Sequence, residues 1–118
     1  MAKYLVLIYG NEQAWSAAPE AWHQANATAH GAFHAAAGSA IVSANELEPI
    51  AAAVSVRRGP AGRPSATDGP FIDTKEVIGG YYVLEAPNLT EAVRLVGQLP
   101  EATATHGGVE IRPIAGSA

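Results

Sequence analysis

Two segments of this chain are apolar at odd and even positions alike, and each has the length of one β-strand. Residues 3–9 read KYLVLIY, and residues 77–85 read VIGGYYVLE. In the first, the alternate sets are Tyr4, Val6 and Ile8 against Leu5, Leu7 and Tyr9. A strand with one face in water alternates apolar and polar residues, whereas a strand covered on both faces does not. Both segments are therefore predicted to be strands with cover on both faces.

A helix is predicted between these strands, from Pro19 to Gly38. Proline suits the first position of a helix, and glycine suits the residue that ends one. Apolar residues recur at helical spacing along it and are expected to form its buried stripe: Trp22, Ala25, Ala29, Phe33 and Ala36.

Further strands, loops and a second helix are predicted in the rest of the chain. Strands are predicted at 40–45, 52–57 and 108–113, and loops at 59–64 and 68–70, with a short strand between the loops left open. A second helix is predicted to start near Asn88 or Thr90, either of which can cap it. Its apolar face would consist of Ala92, Val93, Leu95, Val96 and Leu99.

This order of elements predicts an α+β fold in which residues 1–118 form a single domain. Two helices separated by strand pairs indicate a ferredoxin-like split βαβ arrangement, with a largely antiparallel sheet and both helices on one face. The other face would then be bare although its residues are apolar. A second copy packed sheet to sheet would cover it, so a homodimer with a barrel-like interior, a dimeric α+β barrel, is expected.

The composition narrows the functional classes. The formal net charge is −4 with only seven Lys and Arg residues, which argues against nucleic acid or an anionic membrane as a partner. The chain has no cysteine, which excludes disulfides and thiolate metal sites. No apolar run approaches a membrane span and the N-terminus lacks signal-peptide features, so a cytoplasmic protein is expected. No phosphate-binding glycine loop or nucleophile elbow occurs, and no cofactor is predicted.

Several motifs together resemble the YCII-related, or DGPF-domain, family. They are MAKYLVLIYG at 1–10, DGPF at 68–71, TKE at 74–76, GGYY at 79–82 and VEIRP at 109–113. The resemblance implies a dimeric α+β barrel. It also implies small-molecule chemistry through a His and Asp pair, and one branch resembles dehydrochlorinating enzymes of aromatic degradation. Members are often encoded beside sigma factors, but this chain's weak basic character does not support DNA binding.

His30 and Asp68 are the candidate catalytic pair. His30 lies in the middle of the first predicted helix, near the edge of its apolar stripe, and Asp68 would act as general base or orient the histidine. A purely structural reading of the DGPF motif is also open. In that reading Asp68 and Gly69 form a turn, Pro70 fixes its exit and Phe71 fills the core.

Candidate substrate-binding residues are Lys75, Glu76 and Tyr81. Glycines inside a strand mark a bulge or the close approach of a ligand or another backbone, and both charges come within four residues before the pair Gly79 and Gly80. They would line the mouth of a pocket, although they could equally be surface charges at the start of a strand. Tyr81 or Tyr82 could present a hydroxyl there.

His30 and His34 are four residues apart and could reach one metal ion, but no carboxylate completes the motif and no metal is predicted. Two functions are left open. The first is a cofactor-independent enzyme acting on a small cyclic or aromatic molecule by acid–base chemistry, of the lyase, isomerase or hydrolase type. The second is a non-catalytic module for small-molecule binding or assembly.

Overall fold

The centre of the fold is a four-stranded antiparallel sheet, seen in a computed structural model that describes residues 1–117. The elements in chain order are β1 (Ala2–Gly10), α1 (Glu12–Ala17), α2 (Glu20–Ala37), β2 (Ile41–Glu46), β3 (Val54–Arg58), β4 (Pro64–Asp68), β5 (Val77–Ala86), α3 (Leu89–Val96) and β6 (Gly107–Pro113). The strand order in the sheet is β2-β5-β1-β6, so the two segments apolar on both faces are its inner strands. The α+β class is confirmed, and the β1-α2-β2 and β5-α3-β6 units are compatible with a ferredoxin-like fold.

Both long helices lie on the same face of this sheet, because one buried cluster joins them to β1 and β5. Its members are Val6, Ile8, Phe33, Tyr82, Leu84, Leu95, Val96 and Leu99. Asn88 caps α3, its Oδ1 accepting a hydrogen bond from the Glu91 backbone N–H at 2.9 Å, so the predicted start of that helix is confirmed. The opposite face of the sheet carries Leu5, Leu7 and Val83, which are only half-buried within a single chain.

The predicted buried stripe of α2 is wrong in most of its positions. Phe33 is the helix's one buried residue, while Trp22 is 41% exposed. The inward face instead carries half-buried Asn26 and His30 beside Phe33. This face of α2 turns inward because Asn26 and His30 have hydrogen-bond partners there, Glu101 and Tyr82. Pro19 is the N-cap rather than the first helical residue, and Gly38 ends the helix as predicted. No helix within residues 1–117 is long and apolar enough to span a membrane.

The short helix α1 was not predicted, and it places Trp15 against two glycines of the inner strands. Asn11 caps α1, because its side-chain oxygen accepts a hydrogen bond from the Ala14 N–H. A Cβ atom added at Gly10 would lie 1.9 Å from Cζ2 of Trp15, and one added at Gly79 would lie 2.6 Å from its Cη2. The pairing register of β1 and β5 shifts between Ile8 and Tyr9, opposite the strand glycines, which agrees with a bulge, one of the two alternatives predicted for them.

Gly10→Ala is expected to push the Trp15 ring out of place and to lower the free energy of unfolding by about 1–3 kcal/mol, as overpacking does. Trp15 fluorescence, measured in a Trp22→Phe background, and chemical denaturation check this. Gly108→Ala is the matched control, because a Cβ atom there meets nothing within 4 Å. Unchanged fluorescence and stability in the Gly10 variant would contradict the packing described.

The hairpin β3–β4, which follows β2 and precedes β5 along the chain, forms a separate two-stranded sheet. The strand left open between the two loops is therefore present as β4, but neither β3 nor β4 joins the main sheet. The radius of gyration is 16.3 Å, larger than the about 13–14 Å typical of a chain this long, which fits a projecting hairpin. Phe71 does not fill the core: it is 57% exposed, with the Arg57 guanidinium 3.7 Å from its ring centre.

Candidate functional site

A cavity of about 470 Å³ lies between α2 and the sheet. Its size is in the range of small-molecule sites. The residues that line it come from six parts of the chain: Ile8, Trp15, Trp22, His23, Asn26, Ala27, His30, His34, Ala44, Asn45, Glu46, Gly79, Gly80, Tyr81, Tyr82 and Glu101. Most of the wall is aromatic or apolar, and the polar groups that matter for chemistry gather at its α2 side.

Glu101 is the buried acidic group of this wall. Its residue is only 7% exposed. It sits in a 3₁₀ turn, Pro100–Thr103, where buried Leu99 anchors the start and Pro100 fixes the backbone. Its Oε2 accepts hydrogen bonds from Asn26 Nδ2 at 3.2 Å and His30 Nε2 at 3.0 Å. Its Oε1 lies 2.9 Å from the same His30 nitrogen and accepts no hydrogen bond.

His30 joins Glu101 to Tyr82. The Tyr82 hydroxyl lies 2.7 Å from His30 Nδ1, and the two rings are parallel within 4°. A carboxylate can only accept hydrogen bonds, so we assign the ring proton to Nε2, which leaves Nδ1 to accept from the tyrosine. The three side chains form a chain of hydrogen bonds, referred to below as the Glu101–His30–Tyr82 relay.

The spacing of α2 explains why these groups meet. Asn26, His30 and His34 follow one another at four-residue intervals, which places them along one side of a helix. Asn26 contacts Glu101, His30 contacts both Glu101 and Tyr82, and His34 Nε2 lies 3.4 Å from the Tyr82 hydroxyl. One helix face therefore lines up the polar groups along the cavity.

Burial raises the pKa of Tyr82 above its ordinary value of 10.0, and the negative charge of Glu101 raises it further. Both causes favour the neutral phenol. At neutral pH the hydroxyl therefore keeps its proton and can donate it to His30.

The raised pKa of Tyr82 predicts a loss of stability at alkaline pH. Below pH 10 the phenol is protonated in the folded and unfolded states alike, so its contribution is fully present. As the pH rises further, the unfolded chain loses the proton first, and the contribution is lost through the folded pKa. Tyr82→Phe should therefore flatten the decline in unfolding free energy above pH 10, measured by urea denaturation at successive pH values.

Tyr9 provides the comparison for that experiment. Its pKa is also raised, chiefly by the hydrogen bond that its hydroxyl donates to Glu110 at 2.9 Å. Tyr9→Phe should thus remove a separate part of the alkaline decline. A Tyr82→Phe variant whose decline equals that of the wild-type protein would contradict the burial of the Tyr82 phenol.

The structure brings some of the predicted site residues together and separates others. His30 and Tyr81 line the cavity, and the Tyr81 hydroxyl accepts a hydrogen bond from Asn45 Nδ2 at 2.9 Å. Asp68 lies at the exposed end of β4 and makes no hydrogen bond to His30 in the described part of the chain. Lys75 and Glu76 are also exposed and do not line the cavity.

Glu101 and Asn26 were missed by sequence reasoning. Glu101 follows a proline in a short turn, where an acidic residue is ordinary at the positive end of a helical segment. Asn26 carries one weak signal, since it precedes His30 by four residues on the same helix. Tyr82 was considered only as an alternative to Tyr81 for presenting a hydroxyl, and it proves to be both a core residue and a partner of His30.

The pair His30 and His34 is not arranged as a metal site. Both ring nitrogens of His30 have partners within the chain. Across residues 1–117, no group of three or more His, Cys, Asp or Glu side chains is placed to hold a metal ion. The arrangement is suited to proton transfer between side chains.

Comparison with known proteins gives a family and a relative. The family whose description is YCII-related domain matches residues 2–116. An uncharacterized protein of Rhizobium meliloti (strain 1021) is 32% identical over 115 residues, covering 95% of this chain and 91% of the relative.

Proposed function

The chain belongs to the YCII-related domain family, and from that premise we propose that it is a cofactor-independent enzyme that moves a proton on a small cyclic or aromatic molecule. One observation carries the proposal: His30 holds the Tyr82 hydroxyl at 2.7 Å on one ring nitrogen and the buried Glu101 carboxylate on the other, in the wall of a cavity. The relay has the logic of a catalytic triad, in which a carboxylate orients a histidine that takes a proton from a hydroxyl.

In the first step, Tyr82 is the group that meets the substrate. Its oxygen takes a proton from the substrate while its own proton passes to His30 Nδ1. His30 becomes an imidazolium, and the Glu101 carboxylate stabilises that charge through Nε2–H. The substrate is left as a carbanion or alkoxide, depending on whether the proton came from carbon or oxygen.

In the second step, the proton returns by the same route. His30 gives it back to Tyr82, and Tyr82 donates it to another atom of the substrate or to a leaving group. Return to a different carbon gives an isomerase, and return to a departing group gives a lyase. The cycle ends with Tyr82 neutral, as its raised pKa favours.

The rest of the wall supports a flat, ring-shaped substrate. Trp15 and Trp22 line the cavity together with Ile8. Gly79 and Gly80 line it as well, and at Gly79 the missing side chain leaves room for the Trp15 ring. Aromatic walls with a few placed polar groups are typical of sites for small organic molecules.

The test is solvent-proton exchange. A panel of small cyclic ketones and enones is incubated in D₂O with the wild-type protein and with Tyr82→Phe, and NMR follows deuterium entry beside the carbonyl. We expect at least one compound to exchange about 10²–10⁴-fold faster with the wild-type protein, the range of general acid–base catalysis. Tyr4→Phe is the matched control, because Tyr4 is equally buried but lies outside the cavity.

A second function is favoured by the engagement of both His30 nitrogens within the chain. A relay that is satisfied internally could serve only to shape a pocket that binds a small molecule without converting it. Binding of panel compounds with no exchange by the wild-type protein would support this binding module. Equal exchange by wild-type protein and Tyr82→Phe would remove Tyr82 from any mechanism.

We further propose that the protein acts as a homodimer, paired through the sheet face away from the helices. This face carries half-buried Leu5, Leu7 and Val83, and Ile78 beside them is 39% exposed. Inner strands that are apolar on both faces need cover on both. A second copy presents the same surface, so one two-fold contact covers both faces at once and gives a dimeric α+β barrel.

A further inference from the structure

We propose that this cavity selects ring-bearing ligands with a protonated amine over those with a carboxylate or phosphate. The proposal rests on the proposed function only in using the same cavity, and it names the charge class of the ligand. Three features of the described residues lead to it: the charges of the lining, an acidic groove that continues the cavity, and the two indoles.

The lining holds carboxylates and no fixed positive charge. Glu46 and the buried Glu101 both line the cavity. Every lysine and arginine of the chain lies within residues 1–117, and none is part of the lining: Lys3, Arg57, Arg58, Arg63, Lys75, Arg94 and Arg112. An anion would lose its hydration here without gaining a cationic partner, which is unfavourable.

The charge of the Glu101 carboxylate acts on a bound ligand more strongly than that of a surface carboxylate would. The Glu101 side chain is 9% exposed, and its only ionic partner within the described residues is His30. One of its oxygens, Oε1, accepts no hydrogen bond. A charge held in a wall of low dielectric acts on a bound ligand more strongly than one screened by water, and it favours a cation.

A second groove continues the cavity toward solvent and is also acidic. It shares Trp15, His23, Glu46 and Gly79 with the cavity, and it adds Glu12 and Glu48. Glu12 is held in place because its Oε2 accepts a hydrogen bond from the Ile50 N–H at 2.8 Å. A ligand entering this way passes carboxylates before it reaches the relay, which attracts cations and repels anions.

The two indoles suit a cationic ring compound. Trp15 and Trp22 are the only tryptophans of the chain, and both line the cavity. Indole is the best aromatic partner for an ammonium group, and its face also stacks on a ring. The Trp15 ring packs against Gly10 and Gly79, which holds its position in the wall.

Tryptophan fluorescence therefore reports directly on this cavity. The probes are 2-phenylethylamine, 2-phenylethanol and 3-phenylpropionate, which share a phenyl ring and differ in charge. The titrations are made at pH 8. At low salt we expect the amine to bind at least about 10-fold more tightly than the carboxylate, with the alcohol between them, and added salt to narrow the difference.

Glu46→Lys should reverse the order of the amine and the carboxylate. Asp73→Lys makes a comparable change on an exposed residue outside the lining and should leave the order unchanged. Equal or tighter binding of the carboxylate to the wild-type protein would overturn the charge preference and leave the relay standing. The relay is tested separately by the deuterium-exchange assay, in which Tyr82→Phe should lose activity. Failure of all three probes to bind at millimolar concentration would overturn the proposed ligand class, while the deuterium-exchange assay would still decide the proposed function.

Discussion

Glu101→Leu is expected to lower the free energy of unfolding by about 2–4 kcal/mol and to abolish proton exchange. The substitution leaves the N–H donors of His30 and Asn26 without an acceptor in a half-buried place, and an unsatisfied buried donor costs about 1–3 kcal/mol. It also removes the carboxylate that would stabilise an imidazolium at His30. Urea denaturation and the deuterium-exchange assay measure the two effects on the same preparation.

Glu101→Gln separates the structural role of Glu101 from its chemical role. The amide oxygen can still accept from His30 Nε2–H, so we expect a loss of only about 1 kcal/mol, the net contribution of one hydrogen bond. The amide carries no charge, so exchange should still fall about 100-fold or more. A Gln variant with wild-type exchange, or a Leu variant as stable as the wild-type protein, would contradict the role assigned to Glu101.

Leu7→Arg is expected to convert the proposed dimer into a monomer. Leu7 lies on the sheet face away from the helices, opposite Tyr81 of β5. A guanidinium buried without a partner in a sheet-to-sheet interface costs about 3–5 kcal/mol, which raises the dimer dissociation constant by more than about 100-fold. Light scattering across a micromolar concentration series measures the change.

Val93→Arg is the control for that experiment. Val93 lies on α3 and is 54% exposed, so an added charge there should leave the assembly unchanged. A wild-type protein that is monomeric at micromolar concentration would contradict the proposed dimer. So would a Leu7→Arg variant that stays dimeric.

The inner strands could be predicted from sequence because apolarity on both faces is a local signal of burial. The face of α3 was mostly readable, since Leu95 and Val96 are large apolar residues and both are buried, but Val93, predicted on the same face, is 54% exposed. α2 gave a weaker signal. Alanines lie on all of its sides, so several different faces of the helix are about equally hydrophobic. Its orientation is set by buried polar contacts of Asn26 and His30, which no periodicity of apolar residues can show.

The site was only partly predictable for a related reason. His30 was selected from its position on the helix, but Tyr82 lies 52 residues away from it and Glu101 lies 71 residues away. Such partners meet only through the tertiary fold, so the spacing of residues along the chain carries no trace of them. Asp68 and Lys75 stood out in sequence because they adjoin a turn and a strand glycine pair, and both are exposed in the chain.

The tautomer of His30 tests the relay most directly. Long-range ¹H–¹⁵N NMR on selectively labelled histidine identifies which ring nitrogen carries the proton, with a His30→Gln variant to assign the signal. We predict a proton on Nε2, shared with Glu101, and an Nδ1 that accepts from Tyr82. Tyr82→Phe should shift the Nδ1 signal and leave Nε2–H in place. A proton on Nδ1, or rapid averaging between the two nitrogens as in a solvated imidazole, would contradict the Glu101–His30–Tyr82 relay.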